Sequence, residues 1–329
     1  LFNFHKLDAF TTMHKANKRQ FTSEKVIRFF DRYATYNGSS PYKVPATLNI
    51  IPHLEHNLGA YFPHKGMYSI VKSLYELAKR SGVQFLFNQK VLEVRTRNKT
   101  IDKVLTEKAS YRPDLLVSNV DVNIFYKHLL KDKEMMRKVL KHEKSSSALI
   151  FFWGINREFP ELNLHNILFS ENYSEEFDYL FNKKRIYIDP TIYIFISSKN
   201  SKADAPAGKE NWYVMVNAPE NIGQEWNKLV EETRDNMINK ITRMLETDIR
   251  KYIEFEMVLD PVAIEKNTGS YHGSLYGNSS NSKFAAFNRH PNFSRKYKGL
   301  YFTGGSVHPG GGIPLCLASA KIVSEKIKT

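Results

Sequence analysis

Residues Leu300-Tyr-Phe-Thr-Gly-Gly-Ser-Val-His-Pro-Gly-Gly-Gly-Ile-Pro314 run straight into an apolar, helix-periodic tail and read as a strand, a glycine turn and a helix start. The β-prone run Leu300-Tyr-Phe302 delivers the backbone to a turn almost without side chains, and Pro314 stands where a first helical residue would, with its φ already set. The helix N-terminus then presents N–H groups and a partial positive charge to whatever occupies the turn. Two readings fit that geometry. One is an ordinary strand-to-helix connection; the other is a seat for a phosphate or for the electron-rich edge of a reduced ring cofactor. The turn carries too few side chains to serve packing.

Composition narrows the class of molecule. With 329 residues, 42% hydrophobic and 25% charged, the chain suits a globular enzyme fragment large enough for two cores. Its single cysteine, Cys316, excludes an internal disulfide and a cysteine-rich metal site, and reads as a small apolar residue on the last helix ahead of a reactive thiol. His53, His56 and His64 lack the i, i+4 spacing of a helical zinc site, and no metal is expected. The longest apolar run, residues 148–153, is far shorter than the ~20 residues that span a bilayer. A net charge of +14 is spread over clusters such as Lys183-Lys-Arg185 and Arg295-Lys-Tyr-Lys298 and reads as a solvated basic face. Nucleic acid is not expected, for want of a helix-turn-helix, zinc-finger or RNP-like pattern.

Periodicity organises the rest. Met67, Ile70, Val71, Leu74, Leu77 and Ala78 fall at helical spacing, Ser81-Gly82 ends that helix, and Val83-Gln-Phe85-Leu-Phe87 alternates as a strand. Residues 91–94, a charged turn at Asn98-Lys99 and a return near 103–105 follow. Leu115-Leu-Val117 reads as a short buried strand, and Asp121 behind it as the cap of a helix through Phe125 and Leu129. From about 143 to 258 three aromatic-loaded β runs, 148–153, 191–196 and 212–216, alternate with polar loops. Trp226, Leu229, Val230, Met237, Ile241 and Met244 then make a long amphipathic helix that covers one face of their sheet.

The glycine turn resembles the C-terminal flavin-contacting signature of the carotenoid desaturases, the phytoene desaturase family. The segments Tyr33-Ala-Thr-Tyr-Asn-Gly-Ser-Ser-Pro41, Leu164-His-Asn-Ile-Leu-Phe-Ser170 with Tyr173-Ser-Glu-Glu-Phe177, Asp189-Pro-Thr-Ile-Tyr193, and Ala205-Pro-Ala-Gly-Lys-Glu-Asn-Trp-Tyr213 are similar to family segments and follow the family's order. Arg289-His-Pro-Asn-Phe-Ser294 and Ser306-Val-His308 look closest to the 1-hydroxycarotenoid 3,4-desaturase branch. Two departures stand out. The family's Gly-x-Gly-x-x-Gly turn for the FAD pyrophosphate is absent, so the resemblance implies that an N-terminal FAD segment is missing from the sequence. Lys65 occupies a position where the family has glycine, and its side chain would crowd whatever passes over that turn.

The resemblance implies a mixed α/β, Rossmann-like FAD-binding flavoprotein fold of the amine oxidase and phytoene desaturase type, with a separate mixed-sheet substrate domain. It divides the chain into a helical cap (1–55), the middle of the FAD domain (56–131), a substrate domain (132–262) and the end of the FAD domain (263–329). FAD is the implied cofactor, held by Val91, Gly304, Gly305, Ser306, Pro309, Gly310, Gly311, Gly312, Ile313 and Pro314. Without the family, Val91 is a core strand residue; with it, its backbone meets the adenine. His308 is expected to hold the turn through a side-chain hydrogen bond, with proton removal as its second candidate role. The implied reaction introduces C=C bonds into a carotenoid by hydride transfer to flavin and loss of the neighbouring proton. The alternatives are a phytoene desaturase or another oxidoreductase of the flavin amine oxidase superfamily, the latter needing an aromatic cage. The aromatic, non-helical face of the substrate sheet becomes the wall of an apolar tunnel, since burial at ~25 cal/mol per Å² is the main way to grip a hydrocarbon. A carotenoid partner implies a cytoplasmic protein in peripheral contact with a membrane, its basic face on anionic headgroups.

Overall fold

The computed structural model describes residues 8, 10–282, 284, 285 and 288–328; the outermost residues of the expected cap and of the expected last segment lie outside them. Helices begin where a side chain or a preset φ meets the needs of the first turn. Thr12 Oγ1 accepts from Lys15 N at 3.3 Å ahead of α1 (Met13–Gln20), which is followed by α2 (Glu24–Asp31), α3 (Ile50–Leu58) and α4 (Tyr68–Arg80). The turn expected at Ser81-Gly82 does end α4. The apolar stripe of α4 nevertheless faces outward, with Val71, Leu74 and Leu77 all exposed.

The strand expected at 83–87 does not form. Those residues join no ladder, and Phe87 is 63% exposed. Alternation specifies a strand only when a neighbouring strand takes its N–H and C=O groups, and none of the described strands does. The next segment does pair: β1 (Val91–Arg97) and β2 (Thr100–Thr106) form an antiparallel hairpin. Asn98 and Lys99 close it at φ of +51° and +57°, the backbone of a two-residue turn matched to strand twist. β3 (Ser110–Tyr111) adds to β2, and β4 (Leu116–Ser118) follows. β4 is half open rather than buried, with Val117 exposed. Asp121 caps α5 (Val122–Ile124) as expected, Oδ1 accepting from Asn123 N at 2.8 Å, and α6 (Lys133–Leu140) comes next.

The second layer is built on period-2 burial. β5 (Ser147–Ile155), β6 (His165–Leu168), helix α7 (Tyr173–Asp178), β7 (Ile192–Phe195), β8 (Glu210–Ala218), α8 (Trp226–Leu245) and β9 (Ile253–Leu259) give one antiparallel sheet in the order β6-β7-β8-β5-β9. Three strands and the covering helix match the sequence pattern; β6 and β9 are additional. Leu149, Phe151, Trp153, Ile192, Ile194, Trp212 and Val214 face Met237, Ile238 and Ile241 of α8 in a closed core. The chain then passes through α9 (Pro261–Thr268) to β10 (Leu300–Phe302) and α10 (Ile313–Lys328). β10 pairs parallel with β4, Leu300 opposite Leu116 and Phe302 opposite Ser118. Phe302 is fully buried against Phe125 and Tyr126 in a core that also takes Val94 and Ile101 from the hairpin.

Candidate functional site

The strand–turn–helix unit read from 300–314 is present, with Ile313 rather than Pro314 opening the helix. The turn does serve packing, contrary to expectation. A Cβ on Gly311 would stand 2.8 Å from the Tyr276 ring and 3.0 Å from its Cα, so the two backbones approach as only glycine allows. Gly304 lies against Asn119, and Gly310 against the Arg289 guanidinium. Gly312 differs, since a Cβ there would meet nothing within 4 Å while its φ of +101° excludes most side chains. Gly312, Ile313 and Pro314 are exposed, leaving the first turn of α10 bare. Gly305 and Ser306 line a hollow of about 230 Å³ together with Asn119, Asp121, Leu275 and Gly277. This bare cradle at a helix N-terminus fits the edge of a flat, electron-rich ring.

The turn is braced from behind by the 289–294 segment. Asn292 Nδ2 donates to His308 O (2.7 Å), Ser319 Oγ (2.8 Å) and Phe302 O (3.2 Å), and Ser319 Oγ accepts from Gly304 N at 3.2 Å. Ser306 Oγ accepts from Val122 N at 3.1 Å, which ties the turn to α5. His290 donates from Nδ1 to Pro291 O at 2.8 Å and packs against Phe302; burial pushes its imidazole down to about 4, so the ring is neutral. The expected side-chain hydrogen bond of His308 is not formed. Its ring is exposed and has no such partner among the described residues, while its backbone N–H donates to His290 O at 2.9 Å. Residues 289–294 are not among those lining the cavity described next; their work is to hold the turn.

Four segments distant in sequence converge on a cavity of about 310 Å³ beside this unit. Its lining draws Thr35 and Tyr36 from 33–41, Ile167 and Tyr173 from 164–177, Thr191 and Tyr193 from 189–193, and Tyr213 from 205–213. The sheet supplies one wall with the residues that alternate away from α8. Aromatic rings run along it, Tyr193 to Tyr213 at 6.3 Å and Tyr213 to Phe152 at 5.5 Å. His165 stacks on Phe195 at 5.2 Å, and Phe62 meets Phe195 at 6.3 Å beyond the apolar end. Arg32 is the one charged residue among the described lining; its guanidinium lies 5.2 Å from the centre of the Tyr36 ring.

Leu275 and Tyr276 join cavity and turn. Leu275 borders both the cavity and the glycine-turn hollow. Tyr276 lines the cavity with its ring wedged between two glycines, because a Cβ on Gly38 would stand 2.8 Å from one edge as one on Gly311 would from the other. Sequence reasoning missed both residues, which sit in an irregular loop without motif or period. It also missed Lys144. Val91 opens β1 at the margin of the core shared with Leu300 and Val307, and Pro309 is half-buried in the turn. Lys65 lies in an exposed turn at 63–66.

Known proteins extend the geometry. Residues 2–328 match the profile of the family described as flavin containing amine oxidoreductase. A 1-hydroxycarotenoid 3,4-desaturase of Flavobacterium sp. (strain P99-3) is 52% identical over 316 residues, covering 96% of this chain and 64% of that protein. A phytoene desaturase of Fusarium fujikuroi is 29% identical over 351 residues, covering 99% of this chain and 61% of that protein. The chain therefore spans less than two thirds of the length of these curated relatives. Among solved structures, an oxidoreductase from Methanosarcina mazei shares the fold at a TM-score of 0.62 and 12% identity, over 95% of this chain and 68% of that one.

Proposed function

We propose, from the premise that this chain belongs to the flavin containing amine oxidoreductase family, that the protein is an FAD-dependent carotenoid desaturase acting as a hydroxycarotenoid 3,4-desaturase. The observation that carries the reading is the aromatic-walled cavity set against the glycine turn through Leu275 and Tyr276. The greater identity to the 1-hydroxycarotenoid enzyme than to the phytoene desaturase favours the hydroxylated substrate. An amine substrate is disfavoured because the charged lining residue, Arg32, repels an ammonium.

Gly304, Gly305, Ser306, Pro309, Gly310, Gly311, Gly312, Ile313 and Pro314 are the proposed seat for one edge of the flavin, and Val91 for the adenine. When bound, FAD supplies the hydride acceptor that no side chain provides. The chain's own part is electrostatic and steric. The N-terminus of α10 would offer its dipole to a ring edge held there, a preorganised stabilisation of negative charge. The sheet wall excludes water and grips the polyene by burial of its surface. His308, with an exposed ring inside the turn, is the candidate group for moving the proton. No helix among the described residues is long and apolar enough to cross a membrane. We further propose peripheral membrane contact through Ile50, Leu54, Leu58, Tyr61 and Phe62, which are exposed on and after α3 near the apolar end of the wall.

The test supplies purified full-length protein separately with a 1-hydroxycarotenoid and with phytoene. Flavin absorbance and a red-shifted product from the hydroxylated substrate are expected. Turnover of phytoene alone would reassign the protein to the phytoene desaturases, and colourless protein without turnover would end the reading.

A further inference from the structure

Where α7 meets the cavity, the fold leaves a cluster of buried polar atoms without partners. Tyr173 is 2% exposed, lines the cavity, and its Oη has no hydrogen-bond partner among the described residues. Ser170 Oγ and Glu176 Oε1 share that state, as does Nε of Arg32, another lining residue. Ser170 and Glu176 are joined to the cavity lining through other atoms, by way of Thr191. Glu176 Oε2 accepts from Thr191 Oγ1 at 2.6 Å and from Thr191 N at 3.2 Å, while Thr191 Oγ1 accepts from Ser170 N at 3.0 Å. The Asn217 amide lies beside Glu176. Strand register sets Asn217 opposite Ala148, one row beyond the Tyr193–Met215 pair and level with Thr191. The cavity wall is thus polar at this row and aromatic or aliphatic along the rows that follow. Folded proteins leave few buried polar atoms unpaired, so the bare Tyr173 Oη beside a row lined by Thr191 and Asn217 marks a place made for a polar atom of a ligand.

We infer that Tyr173, with Thr191 and Asn217 of the polar row, seats the hydroxyl at the end of an acyclic polyene, selecting the hydroxylated carotenoid and fixing which bond reacts. The inference rests on the desaturase reading above. Position supports it. The polar row adjoins Ser146, whose carbonyl accepts from Leu275 N at 3.1 Å, and Leu275 borders the glycine-turn hollow. In a 1-hydroxycarotenoid the oxygen-bearing carbon is two bonds from the carbon where the 3,4 bond begins. The oxygen seat and the reacting bond therefore belong at the same end of the cavity, with the polyene running down the aromatic rows.

The experiment compares the full-length holoenzyme with its Tyr173→Phe and Asn217→Leu variants on a 1-hydroxycarotenoid and on its unhydroxylated counterpart. In both variants the ratio of kcat/KM for the hydroxylated substrate to that for the counterpart should fall by about five- to a hundredfold. The dissociation constant for the hydroxylated polyene, read by tryptophan quenching in the full-length chain stripped of flavin, should rise in parallel. The melting midpoint of Tyr173→Phe should hold or rise, because the lost hydroxyl had no partner. An unchanged substrate ratio would overturn the inference and leave ordered water as the occupant; equal losses on both substrates would overturn it too. Wild-type protein that binds neither polyene would overturn the desaturase reading itself, a result visible before any substitution is made.

Discussion

Burial holds the Glu176 carboxyl up at about 7, above the ordinary 4.5, against the lowering effect of its bonds to Thr191. The folded chain therefore keeps a proton there that the unfolded chain releases earlier. That contribution to stability is full below about pH 4.5 and is lost as pH rises through about 7. Glu176→Gln retains an acceptor for Thr191 and has no charge to form. Relative to wild type it should gain stability across that window, by no more than about 3 kcal/mol. Urea midpoints at the two ends measure the gain, and a constant difference would refute it. Lys144 makes the contrast. Burial pushes its ammonium down to about 8, yet Nζ donates to Asn278 Oδ1 (2.9 Å), Asn123 Oδ1 (3.0 Å) and Val139 O (3.2 Å), so no donor is left orphaned. Neither residue was legible in the sequence. An isolated Glu or Lys carries no sign of burial, which is decided by elements far along the chain.

At the scale of elements, the sequence marked what is local. The glycine turn, the Asn98-Lys99 hairpin, the cap at Asp121 and α8 all rest on short-range backbone preference or on periodicity. The strand expected at 83–87 failed because pairing is not local. The bracing work of 289–294 was not legible either, since a likeness of residues does not say which way they face. Asn292 makes the bracing testable. Removing its amide leaves two backbone carbonyls and the Ser319 hydroxyl short of a donor, so Asn292→Ala should cost about 2–4 kcal/mol and lower flavin content. His308→Ala, which removes an exposed ring, should stay within about 0.5 kcal/mol. Denaturant midpoints of the two variants decide; similar losses would mean that the imidazole does hold the turn.

For the whole molecule, the three aromatic β runs and their covering helix were read from the order of motifs, whereas the parallel pairing of β4 with β10 was not. Nor was the convergence of the four scattered segments, because contact between them is a property of the packed sheet. Val71, Leu74, Leu77, Phe87, Val117, Ile313 and Leu317 remain exposed, and the sequence holds no Gly-x-Gly-x-x-Gly turn. The 329-residue chain expressed alone should accordingly bind FAD more weakly than about 1 µM, since one edge of a ligand supplies only part of the affinity of the whole. A fluorescence titration giving micromolar or tighter binding would show that the pyrophosphate is gripped elsewhere. The ring of Tyr276, pinched between Gly38 and Gly311, has a consequence for descent. Any enlargement at either glycine must be answered by a smaller residue at 276, and each such change would move the tunnel wall and the cradle together. These three positions are one heritable unit, free to drift jointly and barred from drifting alone.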